Sequence, residues 1–204
     1  MSDMNFIKEL IDIEWQMFTT AQNIGGRASC QDDRTTFDIM RRSQFETWDD
    51  VTLAWYRSDL DAAVSCNQNI VAEKYGYMME WSDPENFELI KDQLMPVSPA
   101  KQRLVDEILA IFMRQTEDLF EKYPGFASTS RPLHRKDDHR SFASIETYMM
   151  GELKTYSEET LCALLSNMRA MEKNGKSMAF EINNNTAKSY GYEGLDDYES
   201  RHKK

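Results

Sequence analysis

Apolar residues recur along most of the chain at steps of three and four, the spacing that gathers them on one face of an α-helix. Phe6, Leu10, Ile13, Met17, Phe18, Ala21 and Ile24 set this pattern first. They predict a helix from about Asp3 to Asn23, with Asp3 as its cap and the Gly25-Gly26 pair as its end. A second helix is predicted after Asp32-Asp33, either of which can cap it, with an inner stripe of Phe37, Met40, Arg41, Gln44, Phe45 and Trp48. Thr47 and Asp50 are spaced like a capping pair and open a long helix, about Asp49 to Trp81, with a break near 65–69. Its buried side is read as Val51, Ala54, Trp55, Leu60, Val64, Ile70, Val71, Tyr75 and Met78.

Ser82-Asp83-Pro84 and Ser98-Pro99 each combine a cap with a proline at the tolerated first helical position. A helix is predicted from the second of these to about Lys122, where Pro124-Gly125 stops it. Helices return over 142–156 and, after a Ser157 cap, over 158–173. The tail from Ser177 reads as one or two weaker helices interrupted at Gly191–Gly194. No stretch alternates with period two between hairpin turns, and no segment repeats. The expected fold is an all-α, single-domain bundle of seven or eight helices covering 1–204, with Pro96–Pro99 as the one place for an internal division. One long loop, 126–140, lacks any period; such a loop is either a loose surface segment or a functional lid.

Composition narrows the function classes. The chain has 204 residues, 41% hydrophobic and 29% charged, with a net charge of -11. Phosphate backbones are held by stripes of Lys and Arg, so an acidic chain is a poor nucleic-acid partner. No apolar run approaches the length of a membrane span, and no basic-then-apolar leader opens the sequence, so no membrane is expected and the expected address is the cytoplasm. Cys30, Cys66 and Cys162 are odd in number and scattered, which argues against a disulfide framework or a cysteine zinc site.

Candidate chemistry lies in polar groups that interrupt apolar stripes, because burying them costs free energy unless they find partners. Glu14 sits among Leu10, Ile11, Met17 and Phe18, and Glu146 among Phe142, Ala143, Met149 and Met150. With Arg41 on a stripe and Arg27 in a loop, these carboxylates are expected either to form buried ion pairs that fix helix register or to serve as a general acid or base. The 23–33 loop places Arg27, Cys30, Gln31 and Asp32 within six positions. Cys30 follows an arginine and precedes a helix N-terminus, surroundings that favour a thiolate nucleophile; the plainer alternative is a small buried cysteine. Gly151, in mid-helix, leaves room for a close backbone or ligand. Glu73 and Glu80 flank Lys74 and are read as helical carboxylates that either converge with Glu14, Glu146 and Glu152 or stay solvated. A carboxylate metal pair would ordinarily match Glu with His three residues on, and Glu14, Glu73, Glu80 and Glu146 lack that His. No metal ligand is therefore assigned, and the residues name no cofactor.

Several of these residues form motifs: Glu14-Trp15-Gln16-Met17-Phe18, 23–32 with its Gly-Gly-Arg-Ala-Ser-Cys-Gln-Asp, Thr36 to Arg41, Ser43-Gln44-Phe45 and Trp48. Glu73-Lys74-Tyr75, Met78-Met79-Glu80, Arg131-Pro132, Glu146-Thr147-Tyr148, Gly151-Glu152-Leu153, Tyr156-Ser157 and Thr160-Leu161 continue them. Together they resemble a bacterial family known as domain of unknown function 4125, over nearly the whole chain. The resemblance carries no activity. It implies association with a nucleotidyltransferase-like partner, since some members are joined to such a domain or lie near one.

Three readings follow. In the first, the chain binds or processes a small polar or anionic metabolite: Arg27, Arg41 and Arg131 grip the anion, Glu14 or Glu146 is the acid or base, and Gln31, Gln44 and Tyr148 orient the ligand with Asp32 beside them. In the second it is a non-catalytic protein-interaction module, or accessory domain of the nucleotidyltransferase-like partner, with a structural polar core. In the third it is a carboxylate metal bundle of the di-iron type.

Overall fold

The computed structural model describes residues 4–22, 26–139 and 142–202. Eleven α-helices span them: α1 (Met4–Thr20), α2 (Arg34–Phe45), α3 (Asp50–Ser65), α4 (Ile70–Ser82), α5 (Pro84–Ile90), α6 (Pro99–Lys122), α7 (Pro124–Ala127), α8 (Ile145–Leu153), α9 (Glu158–Lys173), α10 (Met178–Ser189) and α11 (Leu195–His202). No strand occurs among the described residues; His139 and Phe142 form an isolated antiparallel bridge. The fold is all-helical, as the pattern predicts, with more helices than the seven or eight expected. The predicted Asp3 cap, the stripe residue Ile24 and Gly25 lie outside the described residues.

The higher count has local causes. The long helix predicted from Asp49 divides into two at the expected break near 65–69. Asn67 takes φ 55° between them, a left-handed conformation that Asn tolerates, and Asn69 then caps α4 by accepting from the Ala72 amide at 2.9 Å. Asp49 caps α3, accepting from Thr52 N at 2.8 Å, whereas Thr47 turns back to donate to the Gln44 carbonyl. Pro124 does not only stop α6; it opens the single turn α7. Ser98, Ser144, Ser157 and Ser177 cap the helices that follow them.

The buried side of α3 is Thr52, Leu53, Tyr56, Leu60 and Ala63. This corrects the sequence reading, which places Val51, Ala54, Trp55 and Val64 inside; all four are exposed. Both faces of α3 carry apolar residues, so periodicity alone could not choose between them.

The main core joins α1, α2, α3, α4, α6, α8, α9 and the start of α10 through residues such as Ile7, Leu10, Phe45, Leu53, Leu60, Ile108, Leu153, Leu161 and Met168. Helix α4 lies along α8, α6 and α3 along α9, and α2 between α1 and α10. A separate small cluster, Leu119, Tyr123, Ala187 and Leu195, seats α11 against α7 and the end of α6. There Glu199 accepts from the Gly125 and Phe126 amides at 3.0 and 2.9 Å, satisfying the start of α7.

The segment between α7 and α8 is strapped down along its described length. Ile145 N donates to Pro132 O and Glu146 N to Leu133 O. Asp138 accepts from the Ser144 amide at 2.6 Å and from the Thr147 hydroxyl. Helix α8 thus begins on groups supplied by the strap.

Candidate functional site

Glu14 sits in the middle of the buried stripe of α1, as its spacing predicts. It faces Arg41, which lies on the buried side of α2. The guanidinium grips the carboxylate with both prongs: Nε donates to Oε2 and Nη2 to Oε1, each at 2.6 Å. Such fork-to-carboxylate pairing suits the planar guanidinium and no other cationic side chain. The Tyr56 hydroxyl on α3 donates to the same Oε1.

The remaining Arg41 prong reaches Glu152 of α8. Nη1 donates to Glu152 Oε1 at 2.8 Å and to Gln44 Oε1 at 2.8 Å. Gln44 Nε2 donates to Glu152 Oε1 at 2.9 Å, and the Tyr156 hydroxyl to the same oxygen at 2.6 Å. Lys74 on α4 donates to Glu152 Oε2 at 2.5 Å. Its ammonium also stands 3.6 Å from the Tyr148 ring centroid, a cation–π contact. The network therefore couples two cations with two carboxylates in the core, Glu14, Arg41, Lys74 and Glu152 all being buried.

Its electrostatics follow from that burial. Desolvation works to raise the Glu152 carboxyl, but Arg41 and Lys74 outweigh it and hold the group well below the ordinary glutamate range. Desolvation works to lower Lys74, yet Glu152 beside it keeps the ammonium above its usual value. Arg41 is likewise driven up by Glu14 and Glu152 against its own desolvation. Burial, and after it the neighbouring carboxylates Glu14 and Glu152 respectively, pushes the Tyr56 and Tyr156 phenols up, so both remain donors. These rings pack edge-on against one another and against Trp48, closing the network on its inner side.

Beside the network lies a cavity of about 30 Å³. Its inner wall is made by buried Glu14, Phe18, Arg41, Tyr56, Ile70, Lys74, Glu152 and Tyr156; half-buried Phe37, Val71, Tyr75, Tyr148 and Thr155 form the outer wall. The volume suits about two water molecules. Gly151 makes the junction possible. A Cβ there would come within 2.9 Å of the Lys74 carbonyl oxygen and 2.6 Å of Met78 Cγ, so only glycine lets α8 approach α4 this closely. Across the cavity's outer wall, the Arg131 guanidinium lies 5.4 Å from the Tyr148 ring and 5.2 Å from the Phe142 ring, and donates to the Ala143 carbonyl at 3.1 Å.

Glu14, Arg41 and Gln44 of the sequence-predicted residues thus meet, with Tyr148 at the edge and Arg131 outside it. Glu146 does not join them. It is half-buried and accepts from Arg135, from the backbone amide at 2.9 Å and from Nε at 2.6 Å, tying the strap to α8. The carboxylate that faces Arg41 is Glu152, six residues further along the same helix. The 26–33 loop also stands apart from the network. Gln31 is buried and terminates α1: Nε2 donates to the Phe18 and Ala21 carbonyls at 2.7 and 2.9 Å, and Oε1 accepts from Ala28 N. Arg27 and Asp32 pair with each other on the surface, and Arg27 also donates to the Thr19 and Gln31 carbonyls. These three are the closure of a helix end. Cys30 is exposed rather than buried, in a single 3₁₀ turn.

Lys74, Tyr56, Tyr75 and Tyr156 are site residues to which the sequence reading gives no role; it names Glu152 only among carboxylates that could converge. Lys74 had a visible signal: with Ile70 and Met78 it repeats every four residues on the buried face of α4. Among the described residues no three His, Cys, Asp or Glu side chains gather into a metal-holding cluster. Glu14 and Glu152 are instead bridged by Arg41. Glu73 stands apart, raised by its burial, and Glu80 pairs with Lys154 at 2.7 Å. No helix is long and apolar enough to cross a membrane among the described residues.

The family model described as "Protein of unknown function (DUF4125)" matches residues 4–200, and the chain belongs to that family. No curated protein and no solved structure matches it.

Proposed function

We propose that this member of the family is a small-molecule-binding helical domain, and that the polar end of its ligand enters the cavity between α1, α2, α4 and α8. The observation that carries this reading is the cavity itself, set against a buried ammonium. Lys74 has three N–H donors and gives one to Glu152, so its remaining hydrogen-bonding capacity faces Tyr148 and the open space. Arg41 grips protein carboxylates rather than a ligand, and acts as the rigid back of the site. The reading is one of binding. Glu14 is held by Arg41 and Tyr56, which commits its carboxylate to the network.

Mass spectrometry of small molecules retained by the purified protein tests it. A specific compound should be retained by the wild type and lost from Lys74→Met and from the milder Tyr148→Phe, with helicity checked by circular dichroism. Retention unaffected by both substitutions would place the ligand elsewhere and end the reading.

A second reading rests on the outward face of α3, where Val51 and Trp55 are 58% and 45% exposed. Apolar side chains one turn apart suit a protein partner, and the nucleotidyltransferase-like protein associated with this family is the partner to try. Co-elution with such a protein that Trp55→Glu abolishes would support it; the same elution profile with and without the substitution would remove it.

A further inference from the structure

The cavity also constrains the charge of what enters it. Its ionic lining is balanced: Glu14 and Glu152 against Arg41 and Lys74, joined by direct ion pairs. A ligand group with net charge would add one uncompensated charge to a desolvated cluster, which is costly whichever its sign. The hydrogen-bonding capacity left over includes several donors. Beyond its bond to Glu152, Lys74 has further N–H groups. Tyr75 and Tyr148 carry phenol hydroxyls without a protein hydrogen bond among the described residues. Burial raises the Tyr75 phenol far above its usual value, with Tyr148 adding to the effect, so it stays a neutral O–H. One part of the wall is flat and apolar, with Phe18 and Phe37 stacked at 5.1 Å. Space for about two waters admits a group of two or three heavy atoms.

Taking the cavity as the ligand site proposed above, we infer that it accepts an uncharged planar hydrogen-bond acceptor, a carboxamide or carbonyl at the end of a slender molecule, and discriminates against a carboxylate or amidinium of the same shape. The carbonyl oxygen would accept from Lys74 and from a tyrosine hydroxyl, while the phenylalanine rings cover its plane. Acceptor geometry then selects the ligand, and the balanced ion pairs exclude charged analogues.

The test is a titration of the isotope-labelled full chain with acetamide, acetate and acetamidinium, three fragments with one heavy-atom skeleton and three charges, followed by amide and side-chain NMR shifts. Fragments this small bind no tighter than roughly tens of micromolar, so the titrations run into the millimolar range. Acetamide should give saturable shifts centred on Lys74, Tyr75 and Tyr148, with the charged fragments at least tenfold weaker. Acetate or acetamidinium saturating the same residues as tightly as acetamide would overturn the charge argument and leave the cavity as a ligand site. Failure of all three to perturb these residues would overturn the cavity reading as well. Tyr75→Phe keeps every charge of the network and should weaken acetamide several-fold without moving the denaturation midpoint. An unchanged affinity in that variant would overturn the donor argument.

Discussion

At the scale of single residues, the interior of this protein is organised by one guanidinium. Removing one partner of a buried ion pair typically costs about 3–5 kcal/mol, because the other charge stays behind unpaired. Glu14→Gln should therefore destabilise the fold by that order, and urea denaturation will read it. The pH dependence has a definite sign. Glu152 is held below its ordinary value in the folded state, so its contribution is complete above the unfolded glutamate value. It is lost as pH falls below about 4.3 towards the folded-state value. Denaturation midpoints between pH 7 and pH 3 should show this acid slope, and Glu152→Gln should flatten it. Gln31 gives a contrast within one loop. Gln31→Ala removes a donor from the Phe18 and Ala21 carbonyls at the end of α1 and the acceptor of the Ala28 amide, and should cost about 1–3 kcal/mol, whereas Asp32→Asn, in an exposed pair, should leave the midpoint nearly unchanged. Part of this was legible in the sequence. Glu14, Arg41 and Gln44 betray themselves as polar groups on apolar stripes. Glu146 and Glu152 could not be ranked that way, because the choice depends on where the strap crosses α8, and Arg135 claims Glu146 from outside the helix.

At the scale of elements, caps and stripes account for most helices, and the misreadings have physical reasons. The α3–α4 break falls at the expected 65–69, and its geometry depends on one Asn in a left-handed conformation. The orientation of α3 depends on neighbours, since it is apolar on two sides. The contact of α4 with α8 hinges on Gly151. Alanine would favour an isolated helix over glycine by about 1 kcal/mol. Here its Cβ would meet the Lys74 backbone, and overpacking of a tight junction costs about 1–3 kcal/mol. Gly151→Ala should thus be destabilising on balance in urea denaturation, and it should shift the Lys74 side-chain resonances as the ammonium moves off the Tyr148 ring. A stabilised variant would show that the junction can relax.

At the scale of the whole molecule, two packed clusters share the chain, and the network lies in the larger one. It joins residues 27, 78 and 111 positions apart in sequence, a range no local pattern could disclose. This span has a kinetic corollary. Arg41 cannot leave water favourably until both Glu14 and Glu152 are at hand, and Glu152 arrives only when α8 docks. The desolvated four-charge arrangement is therefore expected to form late, on the native side of the rate-limiting barrier. Contacts absent from the transition state act on the unfolding rate. In a stopped-flow chevron, Glu152→Gln should accelerate unfolding much more than it slows refolding; an equal split would place the docking of α8 in the folding nucleus. The ion pairs that close the core would then act as a latch on the finished molecule, setting how long it stays folded rather than how quickly it gets there.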